Sequence, residues 1–209
     1  MSDALQEIKC IVVGDGCTGK SSLLCRIEGK KMKDGYIPTV FDNTAVTVSH
    51  NGKQYNLHLF DTAGQEDYAQ LRQQFYNDKN VCLICFSVEN TTSFDNVRTL
   101  WYSEVTNYIA KNAVIILVGT KSDLRTDNET IDRLNISKEA FVSNEEIAHF
   151  AREKKIDYVE TSALKNENIN LLKETIIKLF ERNVARNTCI THPTWISWLL
   201  QKVNCCRRY

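Results

Sequence analysis

The chain has no net charge, since 26 Lys and Arg are matched by 26 Asp and Glu over 209 residues. A surface built to grip a nucleic-acid backbone needs an excess of cations, so nucleic acid is excluded as a general partner. No apolar run approaches the roughly 18 residues that a membrane-crossing helix requires. No secretory signal precedes the first strand-like stretch. Cysteine is the exception to this sparseness, with eight. Several of them sit inside apolar runs of a chain too long to need covalent staples, so a reducing, cytosolic setting is expected. Proline is limited to two residues and glycine to eight. What remains suits one compact domain plus a short extension. Strand-like and helical patterns alternate along it, which predicts an α/β fold on a mostly parallel sheet.

Three of the few glycines fall together in Gly14-Asp15-Gly16-Cys17-Thr18-Gly19-Lys20-Ser21, between a strand-like run, Ile8 to Val13, and a helical opening, Ser22 to Arg26. Strand, glycine-rich turn and helix form the context of a phosphate-binding loop, and the GxxxxGK[ST] spacing is complete. Gly14, Gly16 and Gly19 permit backbone angles that turn successive N–H groups inward on an anion, and the helix start adds its own donors. Lys20 is placed to reach the outer phosphates and Ser21 to offer a hydroxyl to Mg²⁺. This motif alone is shared with phosphotransferases and ATPases.

Further along, Pro38 holds its neighbourhood extended and presents Thr39 from an irregular loop, either as a second hydroxyl ligand for the metal or as an ordinary loop threonine. Thr44 to Ser49 and Gln54 to Phe60 alternate around Asn51-Gly52, which predicts a hairpin with a type I′ turn. The second strand runs into Asp61-Thr62-Ala63-Gly64-Gln65-Glu66-Asp67-Tyr68. An Asp at a strand's carboxyl end can hold the metal's water shell, Gly64 lets a backbone N–H approach a γ-phosphate, and Gln65 is placed to orient an attacking water.

With GDGCTGKS, YIPTVFDN and DTAGQEDY at these spacings, the chain resembles a small GTPase of the Ras superfamily, and within it the Rho/Rac family, from about Glu7 to Arg182. The resemblance implies a P-loop G domain: a mostly parallel six-stranded sheet with one antiparallel strand, flanked by helices on both faces. It implies GTP and GDP with Mg²⁺ as cofactors, and Gln65 and Lys20 as catalytic residues. Nucleotide contacts are implied for Gly14 to Ser21, Ser22, Tyr36, Thr39, Asp61 and Gly64, with Ser21, Thr39 and Asp61 around the metal. Thr120-Lys121-Ser122-Asp123 resembles the family's guanine motif. One carboxylate at Asp123 accepts the two adjacent guanine donors that adenine lacks, and Lys121 lies along the base and braces the P-loop. Thr161-Ser162-Ala163-Leu164 resembles the motif whose backbone N–H groups meet the guanine O6. The implied partners are a guanine-nucleotide exchange factor, a GTPase-activating protein and effectors, the effectors binding through two switch segments, of which Tyr36 to Asn43 is part of the first and Asp61 to Tyr68 opens the second. A non-hydrolysing, GTP-bound adaptor is the alternative within the same fold.

The remaining chain is expected to be core and surface. Val81 to Val88 reads as a central strand on which Cys82 and Cys85 face opposite ways. Phe94, Val97, Leu100, Trp101, Val105, Tyr108 and Ile109 form a helical core stripe. Ala113 to Gly119 and Ile156 to Glu160 are further strands. The charged segment Arg125 to Phe141 sits where Rho relatives carry a helical insert, near 126–140. A solvated surface helix is its other reading. Ser143 to Glu146 is a capping box, and Ile169, Leu172, Ile176, Ile177 and Phe180 give the last helix its apolar face. The G domain is expected over 1–182 and a membrane-targeting tail over 183–209, which has no Asp or Glu. Trp195, Ile196, Trp198, Leu199, Leu200 and Val203 are expected to cover one side of a short helix there, just before Cys205-Cys206. The expected location is the cytoplasm, at the cytoplasmic face of the plasma membrane or endomembranes. In the competing reading the tail's aromatics fold back on the G domain.

Three features depart from the family. Met32 replaces a phenylalanine that packs against guanine, Gln73-Gln74 replace Pro-Leu in switch II, and the terminal Cys206-Arg207-Arg208-Tyr209 lacks the aliphatic pair of a prenylation signal. Lipid attachment at the tail is therefore open between acylation of Cys205 or Cys206 and prenylation of Cys206.

Overall fold

A computed structural model describes residues 5–31, 41–65 and 68–191, the last four by backbone alone. Met32, Tyr36, Pro38, Thr39, Glu66, Asp67 and the tail from His192 onward, with its tryptophans and Cys205-Cys206, lie outside the described residues.

Six strands form one sheet in the order β2-β3-β1-β4-β5-β6. They are β1 (Gln6–Val13), β2 (Phe41–His50), β3 (Lys53–Thr62), β4 (Val81–Ser87), β5 (Val114–Thr120) and β6 (Asp157–Glu160). β2 pairs antiparallel with β3 and every other pairing is parallel, as the sequence predicts. The turn at Asn51-Gly52 has φ of 49° and 77°, both positive as a type I′ turn demands.

Alternation along the strands sorts side chains to two faces. Ile8, Cys10 and Val12 join α1 (Lys20–Ile27) and α7 (Ile169–Thr191) in one core. Ile11 and Val13 join α3 (Thr91–Asn96), α4 (Tyr102–Tyr108) and α6 (Asn144–Lys154) in the other. β4 is buried along its length, with Cys85 in the first core and Cys82 in the second. Helix α1 has only eight residues, too short to persist alone in water. Leu23, Leu24 and Ile27, all buried, hold it to the sheet at about 1.5–3 kcal/mol each.

The stripe from Phe94 to Ile109 needs correction at two residues. Phe94, Val97, Trp101 and Val105 are buried, but Leu100 is 36% and Tyr108 44% exposed. A π-helical turn over Val97–Trp101 separates α3 from α4. Its extra residue per turn shifts the phase of the helix beyond it, so a constant 3.6-residue period overextends the buried face. After β5 a 3₁₀ turn (Ser122–Thr126) leads into α5 (Asn128–Ser137), capped by Asp127 accepting from the Thr130 N–H at 2.9 Å. The Ser143 cap of α6 also forms, with Ser143 Oγ accepting from the Glu146 N–H at 3.2 Å and donating to the Glu146 carboxylate at 3.1 Å. α7 carries on past Arg182 to Thr191. Among the described residues, no helix is long and apolar enough to cross a membrane.

Candidate functional site

The loops that follow β1, β3, β4, β5 and β6 all leave the carboxyl edge of the sheet, where ligands bind in open α/β folds. Residues 14–21, 61–65, 120–123 and 161–164, far apart in sequence, meet there.

The phosphate loop turns sharply out of β1 at Gly14, whose φ is 137°. A Cβ at Gly14 would lie 2.1 Å from the Cys85 carbonyl oxygen, so no larger residue fits. Gly16 differs from expectation. Its φ is not positive and a Cβ there meets nothing within 4 Å. The left-handed positions of the turn are Cys17, at 61°, and Gly19, at 86°. Cys17 is exposed beside the turn. Gly19 caps α1 without a side-chain hydrogen bond, and the first turn of α1 holds no acidic residue. The starts of α3, α5 and α6 are instead capped by Asn90, Asp127 and Ser143. The α1 terminus thus keeps its donors and positive dipole end for an anion. Lys20, 7% exposed, crosses the loop and donates to the Gly14 and Asp15 carbonyls at 2.8 and 2.7 Å. Burial pushes its pKa down.

Ser21 Oγ donates to Asp61 Oδ2, bringing two of the three expected metal ligands into contact. Thr39, the third, lies outside the described residues. A hydroxyl and a buried carboxylate are hard oxygen donors, the set Mg²⁺ selects. The next turn lies directly on the phosphate loop. A Cβ at Gly64 would come within 2.3 Å of the Gly14 carbonyl oxygen and 2.5 Å of the Gly16 nitrogen. The close approach that requires glycine here is therefore to the loop backbone.

Gln65 is exposed, and its main chain is tied down from below. Arg72, in α2 (Ala69–Gln73), is 3% exposed and donates from Nη1 to the Ala63 carbonyl at 2.8 Å and the Gln65 carbonyl at 3.3 Å. Its Nε and Nη2 fork onto Glu104 at 2.7 and 2.9 Å, while Tyr76 donates to the same carboxylate at 2.7 Å. The guanidinium also stacks 4.5 Å from the Trp101 ring. Trp101 Nε1 in turn donates to Asp15 Oδ1 at 2.6 Å, and Asn96 Nδ2 to Asp15 Oδ2 at 2.7 Å. Trp101 is thus more than core filling, since it joins the phosphate loop to the arginine under Gln65. Sequence reading missed Arg72, Asn96 and Glu104 altogether. Across the surface, Phe41 stacks on Phe75 at 4.3 Å, with Phe60 6.2 Å away, so the ends of the two switch segments touch.

At the base end, Asp123 is 8% exposed and accepts from Ser162 Oγ at 2.5 Å. Thr120 Oγ1 donates to the Thr18 carbonyl at 2.5 Å and the Phe86 carbonyl at 2.9 Å, tying β5 to the phosphate loop. Ser122 N–H donates to the Thr161 carbonyl at 3.1 Å. Lys121 adopts a left-handed conformation, φ 60°, and its Nζ pairs with Glu89 at 2.9 Å. Arg133 of α5 pairs with the same Glu89. Glu89 belongs to no motif and has no sequence signal. Ala163 is half-buried and Leu164 is 65% exposed. Tyr36, like Thr39, lies outside the described residues.

A strand, an anion-binding turn and a helix at the carboxyl edge of a parallel sheet, with oxygen ligands for a cation beside them, define a P-loop nucleotide-binding protein. The carboxylate and serine at the far end are suited to a base with two adjacent donors. In agreement, residues 9–182 match the Ras family, and the chain belongs to it. It is a small GTP-hydrolysing switch protein that binds GTP and GDP with Mg²⁺. Ras-family GTPases generally work with exchange factors, GTPase-activating proteins and effectors.

Proposed function

We propose that this chain is a Rho-type switch that hydrolyses GTP slowly, is accelerated by a Rho-class activating protein, and signals to cytoskeletal or membrane-traffic effectors. The observation that carries the Rho reading is α5, ten residues placed directly after the 3₁₀ turn that holds Asp123. That is where Rho relatives carry their insert. In hydrolysis, Lys20 and the loop amides neutralise charge on the outer phosphates, and Gln65 orients the water. Ser21, Asp61 and Thr39 would hold Mg²⁺, which would supply Lewis-acid stabilisation of the phosphate oxygens. Arg72 is committed to Glu104 and the main chain, so the missing transition-state cation is expected in trans. The test is single-turnover hydrolysis with the catalytic domain of a Rho-class activator and, separately, of a Ras-class one. The Rho-class domain should accelerate the reaction by about 10³–10⁵. Acceleration by the Ras-class domain alone would overturn the Rho assignment.

The tail reading is part of the same proposal. Acid-free residues 183–209, with Trp195 and Trp198 beside Cys205-Cys206, suit an interfacial segment acylated at one or both cysteines, on the cytoplasmic face of a membrane. Deleting Arg207 to Tyr209 blocks prenyl-type recognition and leaves both cysteines open to acylation. The truncated chain should therefore stay in the membrane fraction, and hydroxylamine should release a thioester-bound lipid from the full chain. Loss from the membrane together with no thioester would point to prenylation of Cys206.

A further inference from the structure

Helix α1 carries the phosphate lysine at its start and touches the opposite end of the site near its finish. Arg26 Nε donates to the Ala163 carbonyl at 2.7 Å, and Nη2 to the Leu164 carbonyl at 3.4 Å. We propose that Arg26 is a positioning residue for guanine recognition, acting through the main chain of the Ser162–Leu164 loop. The proposal rests on the reading that amides of this loop face the guanine 6-oxo group.

The argument is geometric. A trans peptide is planar, so its C=O and the following N–H point in opposite directions. Among the described residues there is no cis bond. Drawing the Ala163 carbonyl toward Arg26 turns the Leu164 N–H the other way. Holding the Leu164 carbonyl does the same for the Lys165 N–H, which donates to Ser162 Oγ at 3.0 Å. Ser162 Oγ then donates to Asp123 Oδ1 at 2.5 Å. One connected path thus runs from the guanidinium, through two successive peptides and a serine, to the carboxylate that reads the base. The rest of the loop's hold is polar and local. Residues 164–168 are all exposed, so apolar packing does not set its conformation. The Ser162–Glu167 bridge and the bond from Asn168 to the Glu160 carbonyl close the loop on itself and on β6. Arg26 ties it to the phosphate-binding helix. A guanidinium is suited to this task because its rigid fork spans two neighbouring acceptors, which a lysine ammonium does not match.

The test measures nucleotide release from the full chain, wild type, Arg26→Ala and Arg26→Lys, loaded in turn with GDP and with 2-aminopurine ribonucleoside diphosphate. The analogue keeps the 2-amino group and lacks both the 6-oxo group and the N1–H beside it. Losing a charge-assisted hydrogen bond should speed GDP release from Arg26→Ala roughly tenfold and leave release of the analogue nearly unchanged. Arg26→Lys should fall between the wild type and Arg26→Ala. Unchanged GDP release in Arg26→Ala overturns the proposal, as does an equal acceleration of both nucleotides, which would mark Arg26 as general support for α1. A wild type that releases both nucleotides alike would instead remove the 6-oxo contact on which the proposal stands.

Discussion

At the base end of the site, short side-chain bonds join Thr120 to the phosphate loop and Asp123 to Ser162 in the turn after β6. At the phosphate end, Gly64 and Gln65 are placed by their main chain, pressed on the P-loop and held through one buried arginine. The two ends have different work. The base must stay bound in both nucleotide states, so its cradle is cross-linked by contacts that do not depend on the γ-phosphate. The phosphate end must differ between the states, and a segment held by few bonds to its backbone has few to exchange when it moves. The Phe41–Phe75 stack puts the two switch segments in direct contact.

Gln65→Leu breaks the comparison most sharply. Activator-stimulated hydrolysis should fall by about 10³–10⁵ while GTP affinity is retained, because the side chain is exposed and the loop is held by its carbonyls. Stimulated rates equal to wild type in single-turnover assays would remove Gln65 from its role.

Glu104→Ala attacks the support beneath it. The carboxylate is nearly buried and receives Arg72 and Tyr76, so its loss strands a buried guanidinium at a cost of about 3–5 kcal/mol. Denaturant unfolding of the GDP-loaded protein should show that loss, and hydrogen exchange at residues 63–65 should rise more than at 161–165. An even rise at both ends would show that the site is one cooperative unit.

Ser162→Ala tests the base end alone. Removing a hydrogen bond to a buried carboxylate costs about 1.5–3 kcal/mol, so GDP release should quicken roughly ten- to a hundredfold. The hydrolysis rate of nucleotide that stays bound should hold steady, and a parallel drop would contradict the separation of the two ends.

Met32→Phe has the smallest expected effect. An aromatic edge against guanine contributes roughly 0.5–1.5 kcal/mol, and a gain of about 1 kcal/mol slows GDP release about fivefold at fixed Mg²⁺. Indistinguishable release rates would mean that the hydrogen-bonded base end needs no aromatic brace.

What the chain alone determines here is local. The P-loop reads from eight consecutive residues, the hairpin from Asn51-Gly52, and the α6 cap from Ser143 and Glu146, because a turn or cap is specified by neighbours a few bonds apart. The strands read from their apolar runs, and parallel pairing follows from the helices between them. Which side chains then meet is set by strand order and helix packing. Arg72 reaches Glu104 over 32 residues, Trp101 reaches Asp15 over 86, and Arg26 reaches Ala163 over 137. No spacing encodes such pairs, since each exists only when β1 lies between β3 and β4 and α1 packs beside α7. The exposure of Leu100 and Tyr108 has the same origin, because a π turn alters the helical phase that periodicity assumes.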